Sequence, residues 1–329
     1  MNAVEKTTER VIAGVVLMTL AGLGPWILLS LLGWPNAANT AILPGVAMTV
    51  ACVTGAGWRT GIIATGPFAV LAGLAAWTSP SPVFAAIVLA VAAFLRGYAA
   101  KFGLHDALIL TVITLGFIVA MPPHFNSQVA APLLVAVVTL GSSVWATFVI
   151  FVLRKQLPHM PLVKVNPQRV LVYSTVLATL VGIATFLVAQ YNLGQTGGWI
   201  ILTVLVVFQP HLGSGFKKAA SRALGTVAGF GISIVIGEFF PTGSILYVFG
   251  FVFIVIMFIF LLQNRAYWLY AMVLTPAVVL LTSANSTVGV IAIERLKATI
   301  IGIAFTLLVM LALLPIEKHF EAKSTKVPS

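Results

Sequence analysis

Two stretches of the sequence place an arginine, a threonine and a glycine at positions i, i+4 and i+7. The two sets are Arg222, Thr226, Gly229 and Arg295, Thr299, Gly302. This spacing puts the three residues of a set on one face of a helix. A guanidinium group is a planar fork of donors that suits a carboxylate, and a threonine hydroxyl adds a donor. Two such faces that approach each other would bind an organic anion, with the glycines admitting a second helix or the ligand.

Arg295 is the strongest candidate for contact with an anion, because it lies inside a long apolar segment. A charge within a spanning helix costs about 2.5–3.5 kcal/mol on insertion scales, so another interaction must offset it. The alternative is a structural ion pair of Arg295 with Glu294 or Glu238. Lys297 follows Glu294 by three residues, which favours a pair along the helix. The second interpretation of Glu294 is a group that carries a coupling proton.

Two further residues have open interpretations. Arg222 lies nearer the end of its apolar segment, so it is either a second anion-binding group or an arginine that snorkels to the lipid headgroups. Trp199 is either an interfacial anchor or a stacking surface for an aromatic ring. We include both among the candidate substrate-binding residues.

The composition shows what surrounds the chain. Of its 329 residues, 60% are hydrophobic and 8% are charged, whereas a soluble domain carries about 25% charged residues. The chain cannot cover its surface with polar groups, so we predict an all-α polytopic membrane protein. Membrane topology explains the net charge of +11, and we expect no nucleic acid among its partners.

Enzymatic motifs are missing from the sequence. It contains no H-E-x-x-H motif, no G-x-S-x-G motif and no paired-aspartate cluster, which are the patterns of common metal-dependent and nucleophilic hydrolases. We therefore expect no enzyme activity, no catalytic residue, no bound metal and no cofactor.

Apolar runs predict about twelve transmembrane helices. They cover residues 11–33, 38–53, 60–78, 82–98, 104–122, 131–153, 170–190, 197–210, 219–238, 243–262, 266–283 and 289–315. Most approach the ~20 residues that a spanning helix needs, but the second, fourth and eighth are short. Arg96, near the end of the fourth, is expected to snorkel to the headgroups.

Basic residues are distributed unevenly among the connections between these segments. If the N-terminus lies inside, all of the 18 lysines and arginines except Arg295 and Lys297 fall at the termini or in inside-facing connections. Positive charge accumulates on the cytoplasmic side of membrane proteins. The pattern therefore predicts that both termini are cytoplasmic.

The twelve segments form two sets of six with similar spacing. Residues 55–59, GAGWR, are similar to residues 213–217, GSGFK, and residues 126–130 are similar to residues 285–289 at nearly the same offset. We therefore predict two tandem six-helix repeats. Six helices are an even number, so both repeats have the same orientation and are related by an axis along the membrane normal.

The predicted repeats occupy residues 1–160 and 161–329, joined by a polar, proline-bearing linker at 154–168. Pro44 and Pro210 interrupt the second and eighth segments, which hold matching places in the two repeats. Interrupted segments at corresponding positions of a duplicated transporter point to its substrate site.

The C-terminal half resembles the fusaric acid resistance and aromatic acid exporter family, with plant aluminium-activated malate channels as distant relatives. The resemblance covers roughly residues 168–315 and rests on WIILT at 199–203, QP at 209–210, RALGTVAG at 222–229 and RLKATIIG at 295–302. It implies efflux of aromatic carboxylic acids across a bacterial inner membrane, often with a periplasmic adaptor. Ala64 stands where Arg222 would map in the first half, and Ala298 replaces an aspartate that many members carry.

We therefore expect an inner-membrane exporter of organic anions, in particular aromatic carboxylic acids, that binds the carboxylate through intramembrane arginines. An anion channel of the malate-channel type is one alternative, and a non-transporting subunit of an envelope complex is another. The expected partners are a small organic anion, the lipid bilayer, and either a periplasmic adaptor or further copies of the same chain.

Overall fold

The regular structure of the chain is helical. A computed structural model describes residues 3–125, 130–154, 161–240, 245–282 and 287–324. Over those residues it contains twelve α-helices, one short 3-10 helix at Ala99–Phe102 and no strand. The helices are α1 (Ala3–Leu31), α2 (Pro35–Thr54), α3 (Trp58–Thr78), α4 (Pro82–Tyr98), α5 (Ile109–Ala120), α6 (Ala131–Val152), α7 (Pro167–Gln190), α8 (Gly194–Val207), α9 (Leu212–Phe239), α10 (Ile245–Leu262), α11 (Tyr267–Thr282) and α12 (Val288–Ser324).

Most of these helices are long and apolar enough to cross a membrane. Within the described ranges, nine helices meet that criterion, and α5, α8 and α11 are shorter apolar helices. The all-helical, multi-pass membrane class is therefore confirmed. The count of twelve spanning helices and the duplication into two repeats stay predictions, and part of the expected linker and of the second repeated string lies outside the described residues.

The helices group into two compact units. The N-terminal unit comprises residues 1–198 and the C-terminal unit comprises residues 199–329. The difference from the predicted limit near residue 160 arises because α7 packs along α4 in the N-terminal unit. Gly97 permits this close approach, since a methyl group there would lie 2.7 Å from the Cα of Ser174. The predicted division at residue 160 concerns sequence duplication rather than packing and stays a prediction.

The lengths of two helices differ from the sequence-based expectation. The second segment is not short, because α2 runs for 20 residues and continues through Pro44. The shortest α-helix in the described residues is α5, with 12 residues, although its apolar run begins at about residue 104. Residues 103–108 form turns instead, and Gly103 adopts a left-handed φ of 78° that ends the preceding 3-10 helix.

The prediction that Arg96 extends to the lipid headgroups is wrong. Its side chain is buried at the end of α4, and its Nε donates a hydrogen bond to the carbonyl oxygen of His105 at 2.9 Å. The ring of His105 in turn meets the ring of Tyr173 edge-on at 6.3 Å. The turn after α4 therefore folds back over Arg96 and buries it. This contact cannot be predicted from the sequence of α4 alone.

Candidate anion-binding site

The arginine motif of α9 lies on the buried face of that helix. The buried positions recur every three or four residues and include Arg222, Thr226, Gly229 and Ser233. This is the period of an α-helix, so small and polar residues form one continuous stripe. The stripe faces α11 and α12, against which α9 packs. The predicted common face of Arg222, Thr226 and Gly229 is therefore present.

The second motif forms a similar stripe on α12. Its buried positions include Arg295, Ala298, Thr299, Gly302 and Thr306, spaced again by three or four residues. Both arginines are among the largest fully buried side chains of the described residues, each with an exposed fraction of 0%. Arg222 therefore does not snorkel to a surface within the structure, and Arg295 points away from the exposed face of its helix.

Arg295 stacks on Trp199. The guanidinium carbon of Arg295 lies 3.9 Å from the centroid of the indole ring, which is within cation–π range. Trp199 is itself buried near the start of α8. Its side chain therefore holds a cation in place, and the structure does not expose it as an interfacial anchor would be.

The two arginines share one electrostatic environment in the C-terminal unit. Arg222 and Tyr267 both lie within electrostatic range of Arg295. Tyr270 lies within the same range of Arg222 and Tyr267. The two tyrosine rings stack at 6.2 Å with an angle of 26° between their planes. Side chains of α8, α9, α11 and α12 thus surround a doubly cationic centre.

Neither guanidinium group has a hydrogen-bond acceptor in the described part of the chain. Atoms Nε, Nη1 and Nη2 of both Arg222 and Arg295 are buried without such a partner. Glu294 and Glu238, the two acids that could have paired with Arg295, are both exposed, and neither forms an ion pair with it among the described residues. A buried donor without an acceptor is costly, and more so when it is charged. The centre therefore has unused capacity for an anion.

The two threonines of the motifs differ in their hydrogen bonds. The hydroxyl of Thr299 donates to the carbonyl oxygen of Arg295 at 2.9 Å. The hydroxyl of Thr226 is buried and has no hydrogen-bond partner among the described residues. Thr226 therefore adds an unused donor one helical turn beyond Arg222, whereas Thr299 is engaged with its own helix.

The two motif glycines bring neighbouring helices close. A methyl group at Gly229 would lie 2.5 Å from the carbonyl oxygen of Met272 on α11, and one at Gly302 would lie 2.7 Å from Cβ of Thr203 on α8. Both positions are filled by packing partners. Direct contact of either glycine with a substrate stays a prediction.

The charged residues beside Arg295 lie on another face of α12. Glu294 and Lys297 are both exposed, in contrast to the buried arginine between them. Successive residues of a helix point about 100° apart, so neighbours in sequence need not share a site. A proton-coupling role for Glu294 stays a prediction.

Sequence reasoning missed Tyr267 and Tyr270 as members of this centre. Both are partly buried on α11, and they are three residues apart, which places them on one face of that helix. An aromatic pair at this spacing is common in apolar helices, so the pattern does not predict that a cation lies beside it. Only the packing of α11 against α9 brings the pair to Arg222.

Comparison with known proteins finds a similarity, which lies in this part of the chain. Residues 183–309 match the fusaric acid resistance protein-like family. The resemblance predicted from the arginine motifs is confirmed over that region, which includes both arginines, Trp199 and the two tyrosines. The apolar helices support a multi-pass membrane protein, and the family that this region resembles is one of membrane transport and efflux. No curated protein and no solved structure has significant similarity to the chain.

Proposed function

We propose that the chain exports organic anions, in particular aromatic carboxylates, across a bacterial inner membrane. Arg222 and Arg295 bind the carboxylate, and Thr226 donates a further hydrogen bond to it. The observation that carries the proposal is the pair of fully buried guanidinium groups, within electrostatic range of each other, that have no acceptor in the described residues.

The energetics of burial support an anionic ligand. Two neighbouring cations repel each other, and each loses the hydration that it would have in water. A carboxylate that accepts hydrogen bonds from a guanidinium fork restores both charge balance and hydrogen bonding. The stack on Trp199 offsets part of the cost for Arg295, but it supplies no hydrogen-bond acceptor.

The aromatic surroundings support an aromatic substrate. Tyr267 and Tyr270 stack on each other within electrostatic range of the arginines. Their rings provide apolar contact for a planar substrate, and their hydroxyl groups provide donors for substituents on it. The indole face of Trp199 is occupied by Arg295, so in this proposal Trp199 orients the guanidinium.

The membrane potential is sufficient to drive export of an anion. A potential that is negative inside favours the exit of one negative charge by about 2.3 kcal/mol per 100 mV. Proton coupling through Glu294 is an optional addition, and transport that is unchanged in Glu294→Gln would remove it. Cooperation with a periplasmic adaptor or with further copies of the chain belongs to the proposal as well.

The test uses the full chain in liposomes with an imposed potential. Efflux of radiolabelled benzoate is measured at pH 8, where little neutral acid leaks through lipid, and empty liposomes give the blank. Arg295→Ala and Arg222→Ala should each lower the protein-dependent flux at least about tenfold, because a charge-assisted pair is lost. Arg265→Ala is the matched control, since Arg265 is an exposed arginine that donates to Gln263 at 2.9 Å.

The outcomes separate the possible mechanisms. Flux that saturates with benzoate and exchanges with it on the other side indicates a carrier, whereas unitary currents indicate a channel. Equal flux in the wild type and in both arginine variants would remove the arginines from the site. If aromatic and dicarboxylic acids all fail to move in the presence of the protein, the transport proposal for the isolated chain is wrong.

A further inference from the structure

A cavity in the N-terminal unit lies apart from the arginine motifs in sequence and has a different chemistry. It has a volume of about 350 Å³ and opens between the first turns of α2 and the last turns of α5. This volume is within the range of small-molecule sites. It therefore has room for a compact organic molecule.

Each helix presents one regular face to this cavity. From α2 come Asn36, Asn39 and Thr40, followed by Pro44 one turn deeper. From α5 come residues 114, 117 and 118, and residue 121 follows directly after the helix, so these positions again recur about once per turn. These intervals place the lining residues of each helix on a single face. The cavity therefore lies between two facing helix surfaces.

The lining is polar at its mouth and apolar further in. The side chains of Asn36 and Asn39 are exposed, whereas Phe117 and Ile118 are buried. Thr114 is buried as well, and its hydroxyl donates to the carbonyl oxygen of Leu110 at 2.8 Å, so its oxygen still has lone pairs that can accept a hydrogen bond. A ligand with an apolar body and a polar end matches this gradient.

Pro44 adds a backbone acceptor to the cavity wall. Proline has no N–H group, so the carbonyl of Thr40, four residues earlier, lacks its usual helical donor. The hydroxyl of Thr40 is directed to the carbonyl oxygen of Asn36 at 2.8 Å and does not compensate. Pro44 and Thr40 both line the cavity, which brings this backbone position to the cavity wall.

The lining carries no formal charge that would select an ion. None of the described residues that line the cavity is an aspartate, glutamate, lysine or arginine. An ion that enters such a site loses its hydration and finds no opposite charge, which is unfavourable. Amide, hydroxyl and carbonyl groups can instead form hydrogen bonds with a neutral ligand. His124 lies at the exposed mouth of the cavity.

We propose that this cavity is a binding site for an uncharged, single-ring aromatic molecule that carries an amide or hydroxyl group. The ring packs against Phe117 and Pro44, and the polar group meets Asn39, the Thr40 carbonyl and Thr114. The site is independent of the anion site, because it uses neither Arg222 nor Arg295 and binds an uncharged molecule instead of an anion.

Benzamide and benzoate test this directly, because they have almost the same shape and differ in charge. Binding to the full chain in detergent micelles is measured by equilibrium dialysis at pH 8, with empty micelles as the blank. The double variant Arg222→Ala/Arg295→Ala is the background, so that benzoate held by either arginine of the anion site does not contribute. Benzamide should bind to this protein at least about tenfold more tightly than benzoate.

Two substitutions locate the site. Asn39→Leu should weaken benzamide binding about five- to tenfold, because one hydrogen bond is lost. Met121→Trp should abolish measurable binding, because the indole fills the cavity from its exposed mouth. Thr179→Val is the matched control, since Thr179 is a helical residue of the same unit, outside the cavity lining, whose hydroxyl donates to Thr175.

Each outcome bears on the proposal. Benzamide binding that falls in Asn39→Leu and in Met121→Trp, and is unchanged in Thr179→Val, supports it. A preference for benzoate, absence of saturable benzamide binding, or equal binding in both cavity variants and the control overturns it. Failure of benzoate transport in the earlier experiment would leave this result unaffected, because the two sites are tested with separate ligands and variants.

Discussion

The guanidinium carbon of Arg295 lies 3.9 Å from the centroid of the indole ring of Trp199. A cation in this position is attracted by the π face, and the attraction is stronger where water is excluded. The guanidinium nitrogens of Arg295 have no acceptor among the described residues, so the contact with the ring does not use their N–H groups. Trp199 thus fixes the position of the charge without using its hydrogen bonds.

Replacement of Arg295 by methionine should separate function from stability. Arg295→Met removes an uncompensated buried charge, retains much of the side-chain volume and keeps a favourable sulfur–aromatic contact with Trp199. We expect benzoate transport to be lost while the melting temperature of the purified protein rises by several degrees. Differential scanning fluorimetry and the liposome assay measure the two effects, and a lower melting temperature would argue that the arginine has structural partners.

Arg96 should respond in the opposite way. Its Nε donates to the carbonyl of His105 at 2.9 Å, so Arg96→Met leaves a buried acceptor without its donor. The free energy of unfolding should fall by about 1–3 kcal/mol, with no change in the affinity for benzoate. The same fluorimetry applies, and an unchanged melting temperature would show that the hydrogen bond contributes little.

Graded substitution of Trp199 tests the stack on Arg295. A phenylalanine retains a weaker π face, and a leucine retains none, although both remain apolar. The apparent affinity for benzoate should therefore decrease from tryptophan to phenylalanine to leucine, by a few-fold at the first step and about tenfold overall. Substrate-dependent flux gives the order, and equal affinities for Trp199→Phe and Trp199→Leu would contradict it.

Gly229 and Gly231 form a matched pair on α9. A methyl group at Gly229 would lie 2.5 Å from the carbonyl oxygen of Met272, whereas one at Gly231 would meet nothing within 4 Å. Gly229→Ala should lower the melting temperature by pushing α11 away, and Gly231→Ala should leave it unchanged or raise it through helix propensity. Comparison of the two melting curves is decisive, because the substitutions are chemically identical.

A carboxylate at position 298 should compete with the substrate. Ala298 is fully buried and lies three residues beyond Arg295, so an aspartate there can reach a neighbouring guanidinium. Ala298→Asp should weaken benzoate binding at least about tenfold, because an internal anion neutralises the centre. Ala298→Asn has nearly the same volume and no charge, and equal loss of binding in both variants would point to a steric effect instead.

The membrane class, the helical segments and the stripe that carries each arginine could be predicted from the sequence. They depend on composition and on a period of 3.6 residues, both of which are local properties of the chain. Arg222, Thr226 and Gly229 share a helix face for that reason alone. The same regularity on α12 brings Arg295, Thr299 and Gly302 together.

The partners across helices could not be predicted in this way. The stack of Arg295 on Trp199 joins residues that are far apart in the chain, and the role of Tyr267 depends on how α11 packs. The burial of Arg96 likewise depends on a turn that folds back after α4. Such contacts depend on how entire helices pack against one another. The local pattern of a single sequence does not predict that packing.

The length of α8 has an electrical consequence. Its 14 residues rise about 21 Å, about 9 Å less than the ~30 Å hydrocarbon core of a bilayer. Where water or headgroups fill the remaining depth beside this helix, the transmembrane voltage falls across a thinner insulating layer. An ion that crosses there experiences a steeper field than one beside a full-length helix, although the total electrical work per charge is the same.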